Sequence, residues 1–200
     1  DNLISRNKFW GNFTDYALDI YYYPTGSGQA IVNLLHNFVG YQWGYDSDIY
    51  TTNGVQLTAP TSSRLAAHLW NNSLACLDMG VHVVDLVDID ITNNIIGWTT
   101  EGVVSYSDYP TVGPEITGST NMIYFTNSVD LPDTDLIVTD PKFVSLMDGE
   151  LHLTKDSPAI NRGVNMGLVE DIDGDRRADG LPDIGADEFV ARLYLPLLAK

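Results

Sequence analysis

The sequence is poor in positive charge. Ten of its 200 residues are Lys or Arg against 27 Asp or Glu, a formal net charge of −17. Between Lys8 and Lys142 the one Lys or Arg is Arg64. A nucleic-acid binder needs a basic face to neutralise phosphates, so that partner is excluded. An anionic membrane surface is disfavoured on the same ground. There is one cysteine, Cys76, which rules out an internal disulfide and reads as a small core residue. No apolar run is long enough to span a membrane. The chain opens at Asp1 with neither Met nor a signal peptide, which reads as a processed chain or a fragment with upstream turns left out.

What is present is 44% hydrophobic content, enough for a folded core, arranged as an irregular repeat. Asn7, Asn37, Asn72, Asn94 and Asn127 each follow an apolar residue by three positions: Ile4, Leu34, Leu69, Ile91 and Tyr124. Each precedes another by two: Phe9, Val39, Leu74, Ile96 and Val129. A sixth copy, 151–156, carries Asp156 in the Asn place. The origins lie 30, 35, 22, 33 and 29 residues apart, too irregular for a strict short repeat.

Apolar residues before each Asn alternate with period 2, which is strand chemistry. A second strand follows in Ala17–Ile20, Gly54–Leu57, Gly80–Val83 and Gly102-Val103. Copies stacked about 4.8 Å apart would bury what no single copy can. Side-chain amides in register would bond from copy to copy, and Asn tolerates a left-handed turn. The predicted fold is all-β: a right-handed, single-stranded parallel β-helix over residues 1–165, an acidic closing loop over 166–189 and an apolar tail over 190–200.

The repeat resembles the right-handed parallel β-helix superfamily. A series of C-terminal motifs is more specific: Asp140-Pro141-Lys142-Phe143, Leu151-His152-Leu153, Ser157-Pro158-Ala159-Ile160-Asn161-Arg162-Gly163, Asp171-Ile172-Asp173-Gly174-Asp175-Arg176 and Asp183-Ile184-Gly185-Ala186-Asp187-Glu188-Phe189. In that order they resemble the ending of the bacterial choice-of-anchor Q secreted proteins. The resemblance implies export and surface association, and it implies no single activity.

Three groups of residues carry chemistry. Asp171, Asp173, Asp175, Asp179 and Asp183 could wrap Ca²⁺, which takes several oxygen ligands; Gly174 is misplaced for an EF-hand, and Arg176 and Arg177 could instead pair with these carboxylates. His68, Trp70 and Asp90 fall on one outward sheet face, an aromatic platform beside polar groups that suits a sugar ring. A loop covering that face is the competing reading. Asp88 and Asp90 share a strand face and could be a pair for glycoside hydrolysis, which needs two carboxylates; alternating Asp on a solvated face is the stronger explanation. Two sequons, at Asn12 and Asn71, fit N-glycosylation.

The function expected is a secreted or cell-surface structural or adhesive protein, with head-to-tail self-association through uncapped ends and the apolar tail. The alternative is a polysaccharide-binding or polysaccharide-degrading protein.

Overall fold

A computed structural model of the chain describes residues 2–11, 15–23, 30–40, 52–60, 63–132, 136–177 and 180–191. The described elements are all strands: β1 (Asn2–Ser5), β2 (Lys8–Trp10), β3 (Tyr16–Tyr21), β4 (Ala30–Leu35), β5 (Phe38–Gly40), β6 (Asn53–Ala59), β7 (Leu65–Trp70), β8 (Ser73–Asp85), β9 (Val87–Thr92), β10 (Ile95–Tyr106), β11 (Glu115–Thr117), β12 (Met122–Tyr124), β13 (Ser128–Val129), β14 (Phe143–Ser145) and β15 (Glu150–Leu153).

They pair into three separate sheets. The first is parallel, in the order β1-β4-β7-β9-β11. The second is parallel along β12-β10-β8-β5-β2, with β3 joined through β6 to β8, and β13 on β10. The third is the antiparallel pair β14-β15.

This corrects the expected right-handed parallel β-helix. The pairing gives parallel sheets that are separate from one another, with no continuous solenoid among the described residues. The later copies also leave the repeat. Residues 122–124, read as a first-sheet strand, pair with Ile95–Gly97 in the second sheet. Leu153 pairs antiparallel with Phe143. Ile4, Leu34, Leu69 and Ile91 do stand in register, whereas Tyr124 and Leu153 lie elsewhere.

Alternation decides which residues reach the main core. In β7, Leu65, Ala67 and Leu69 are buried; in β9, Val87, Ile89 and Ile91 are. They meet Leu74, Val81, Val83 and Ile96 of the second sheet. Leu69 is 1% exposed within this cluster. We expect Leu69→Ala to lower unfolding free energy by ~2–5 kcal/mol in urea titrations, as truncation of a buried Leu does; a loss below ~1 kcal/mol would be incompatible with this packing.

The outer side of the second sheet is buried as well. Phe38, Ala75 and Cys76 pack against Leu151, Ile172 and Ala186. Ile95 and Met122 pack against Leu153, Ala159 and Ile184. The C-terminal segment therefore forms a second apolar layer over this sheet.

An asparagine ladder marks the bend between the two parallel sheets. Asn7 Nδ2 donates to Asn37 Oδ1, Asn37 to Asn72, Asn72 to Asn94 and Asn94 to Asn121, at 3.0–3.2 Å. The fifth member is Asn121, not Asn127. The left-handed backbone falls on the residue before each ladder Asn: Arg6, His36, Asn71, Asn93 and Thr120, with φ of 54–58°. The ladder residues thus contribute their amides, and their predecessors take the turn. Asn71 is 1% exposed and donates to Asp183 O, so it cannot accept a glycan; Asn12 lies outside the described residues.

Candidate functional site

On the outer face of the first sheet, register places His68 between Asn33 and Asp90, and Trp70 between Leu35 and Thr92. The structure thus brings His68, Trp70 and Asp90 together. His68 and Trp70 sit two residues apart on β7 and stack, with ring centroids 4.4 Å apart and planes 18° apart. His68 Nδ1 lies 2.8 Å from Asn33 Oδ1, which suits the tautomer with its proton on Nδ1 and a lone pair on Nε2. Asp90 Oδ1 accepts from Thr92 Oγ1 at 2.5 Å. Both aromatic residues are half-buried, and the Trp70 indole N–H is buried without a hydrogen-bond partner. The strip offers an aromatic edge, an imidazole nitrogen and a carboxylate to a ligand laid along the sheet.

The candidate hydrolytic pair is already engaged. Arg64 Nε donates to Asp88 Oδ1 at 2.6 Å, and Arg64 Nη2 donates to Gly113 O at 3.1 Å. Glu115 adds a carboxylate 3.7 Å from the same guanidinium. The hydrogen bond to Asp88 raises the Arg64 pKa, as do the charges of Asp88 and Glu115. Asp88 is thus ion-paired through Oδ1 to Arg64, and Asp90 Oδ1 is shared with Thr92.

The aspartates proposed for calcium are distributed differently. Asp171 Oδ1 accepts from Asp173 N and Asp175 N at 2.9 and 2.7 Å, and its Oδ2 accepts from Glu188 N at 2.9 Å. Asp183 accepts from Asn161 N and Phe189 N, each at 2.7 Å. Both carboxylates thus hold backbone loops together. Asp173 Oδ2 lies 2.7 Å from His152 Nε2. Asp175 supplies its backbone to Asp171, and Asp179 lies outside the described residues.

Arg177, 5% exposed, is the central cation of this loop. It donates to Glu188 Oε2 at 3.3 Å, Asp183 O at 3.1 Å and Gly185 O at 2.8 Å. Gly185 has φ +97°, and a Cβ there would meet Ile95 Cδ1 at 2.7 Å; glycine permits both the turn and the approach. Burial lowers the Arg177 pKa against the opposing pull of Glu188 and neighbouring aspartates. Burial also raises Asp183, and lifts Asp187 to about 6 and Glu188 to about 7. Beside them, His36 is pushed down to about 3 by burial and by the charges of Arg177 and Arg6.

Sequence reasoning missed two features. One is the Arg177–Glu188 pair. The other is a group of His152, Asp173 and Asp187, whose possible ligand atoms all lie within 4.8 Å of one another. Neither has a spacing signature. Alternation in Leu151-His152-Leu153 was the available hint, since it turns His152 away from its two buried neighbours. No helix among the described residues is long and apolar enough to cross a membrane. No protein-family model matches the chain, and no curated protein matches it in sequence.

Proposed function

We propose that the chain is a non-catalytic structural or adhesive protein of the cell exterior. The observation that carries this reading is the engagement of its candidate catalytic carboxylates: Asp88 by Arg64 and Asp90 by Thr92. A glycosidase needs two carboxylates facing a shared substrate. An exterior location fits the strongly acidic composition. Head-to-tail self-association belongs to the same reading. It is supported by β1 and β2, which end their sheets and carry the edge groups that template further pairing. The tail segment 192–200 lies outside the described residues.

A second reading is favoured by the His68–Trp70 stack: the strip binds a polysaccharide without cleaving it. Aromatic edges beside hydrogen-bonding groups suit sugar rings. One experiment addresses both. Incubation with neutral and acidic polysaccharides is followed for new reducing ends and for ultraviolet-absorbing unsaturated products, while binding is measured by affinity electrophoresis. We expect no product. Any retardation should fall at least about tenfold in Trp70→Ala, since an aromatic anchor is worth about 1.4 kcal/mol or more. Turnover by the wild type that Asp88→Asn removes would overturn the non-catalytic reading.

A further inference from the structure

We propose that His152, Asp173 and Asp187 bind one divalent transition-metal ion of the zinc class, which clasps β15 to the C-terminal segment. The three side chains come from separate stretches. His152 stands on β15 between Leu151 and Leu153, both buried, and alternation turns its ring to the opposite side. The Phe38 ring meets it edge-on at 5.1 Å and 85°, which fixes its plane. Asp173 and Asp187 arrive from the loops that Asp171 folds together. One ligand atom of each lies within 4.8 Å of the others.

The imidazole is flanked by carboxylates on both nitrogens. Glu150 Oε2 is 3.0 Å from Nδ1, and Asp173 Oδ2 is 2.7 Å from Nε2. A neutral imidazole has one ring proton, so it can serve only one of these contacts. With that proton directed at Glu150, the Nε2 lone pair faces Asp173, and either a second ring proton or a cation at Nε2 reconciles the two contacts. A carboxylate on the far nitrogen of a metal-binding histidine is the usual outer partner, fixing tautomer and orientation.

Asp187 supplies an independent indication. It is 7% exposed, and among the described residues its carboxylate accepts one hydrogen bond, from Leu153 N to Oδ2 at 2.7 Å. A buried ionised carboxylate is stabilised by a counter-charge. The buried cation of this region, Arg177, donates to Glu188, Asp183 O and Gly185 O instead. A divalent ion at His152 would meet that need. One imidazole with two carboxylates matches a zinc-class ion, which binds nitrogen and oxygen with few ligands and leaves a position for water. Calcium wants six to eight oxygens. The His152 and Asp173 side chains are 22% and 42% exposed, which leaves a route for the ion.

The test titrates the metal-stripped 200-residue chain with Zn²⁺ by calorimetry and with Co²⁺ by visible absorption, alongside melting curves in Zn²⁺, Ca²⁺ or Mg²⁺. We expect one ion per chain, a low-coordinate Co²⁺ spectrum and a higher Tm in Zn²⁺ than in Mg²⁺. His152→Gln and Asp173→Asn should each weaken Zn²⁺ binding at least about tenfold, and Glu150→Gln by about tenfold through the histidine it orients. Asp156→Asn, on an exposed residue paired with Lys155, should leave binding unchanged. The variants' metal-free melting curves check that they fold. Absence of saturable Zn²⁺ uptake, uptake unchanged in His152→Gln, or stabilisation by Ca²⁺ and not by Zn²⁺ would each overturn the proposal.

Discussion

Asn94→Ala should lower the unfolding free energy by on the order of 4 kcal/mol, several times the cost of Asn7→Ala. Asn94 is fully buried. Its Nδ2 reaches Leu69 O at 2.7 Å, Thr92 O at 3.0 Å and Asn121 Oδ1 at 3.2 Å. Its Oδ1 accepts Asn72 N at 2.9 Å and Asn72 Nδ2 at 3.1 Å. Alanine orphans these groups where water does not reach, and each buried unsatisfied group costs about 1–3 kcal/mol. Asn7 lies at the end of the ladder and is only partly buried, so water can replace much of what its amide provides. Its loss should cost about 1 kcal/mol, a typical single hydrogen bond. Paired urea titrations compare the two. Equal losses would mean that the ladder contributes nothing beyond its local turns.

The ladder also shows where reading the sequence stopped working. Period-2 alternation before Asn7, Asn37, Asn72 and Asn94 placed Ile4, Leu34, Leu69 and Ile91 in register, because each strand repeats the same distance to its Asn. The next true copy keeps Ile116 five residues before Asn121, as Ile89 stands before Asn94. Three residues before Asn121, however, stands Gly118 in place of an apolar residue. A Cβ there would lie 1.9 Å from Ile91 O, so close backbone approach removed the side chain that the pattern relied on. With Asn127 as origin, Ile123 falls four positions before the Asn, where alternation points a side chain outward, although it is buried against the main core.

All-β character and parallel strands follow from local alternation; the partition into three sheets does not, because alternation carries no information about which distant edge a strand will meet. The same limit applies to the sites. His68, Trp70 and Asp90 were found together because each has a fixed distance from a ladder Asn. His152 and Asp173 are 21 residues apart in a segment without a repeat, and only folding brings them within reach of Asp187.

Arg177→Met should cost about 3–5 kcal/mol at neutral pH, the usual result of removing one partner from a buried ion pair. The cost should shrink as the pH falls. Arg177 is paired with Glu188, and its loss leaves that buried carboxylate without its counter-charge. Burial already lifts Glu188 to about 7 and Asp187 to about 6, above their ordinary values of 4.5 and 3.8. The folded state therefore holds more protons than the unfolded state across about pH 4–7, and these two groups make stability fall as the pH rises through that window. Without Arg177 the Glu188 pKa climbs further and the slope steepens. Well below those ordinary values the two carboxyls are protonated in either state, and the charge interaction that Arg177 supplied to Glu188 is absent from wild type and variant alike. His36 acts in the same direction: Arg177 is one of the charges that hold its pKa near 3, so the variant should accept a proton there more readily in acid. Urea titrations of both proteins at pH 7.5 and at about pH 4.5 measure the difference. A deficit that is independent of pH would assign Arg177 a packing role, carried by its hydrogen bonds to Asp183 O and Gly185 O, rather than a role as counter-ion to the acidic loop.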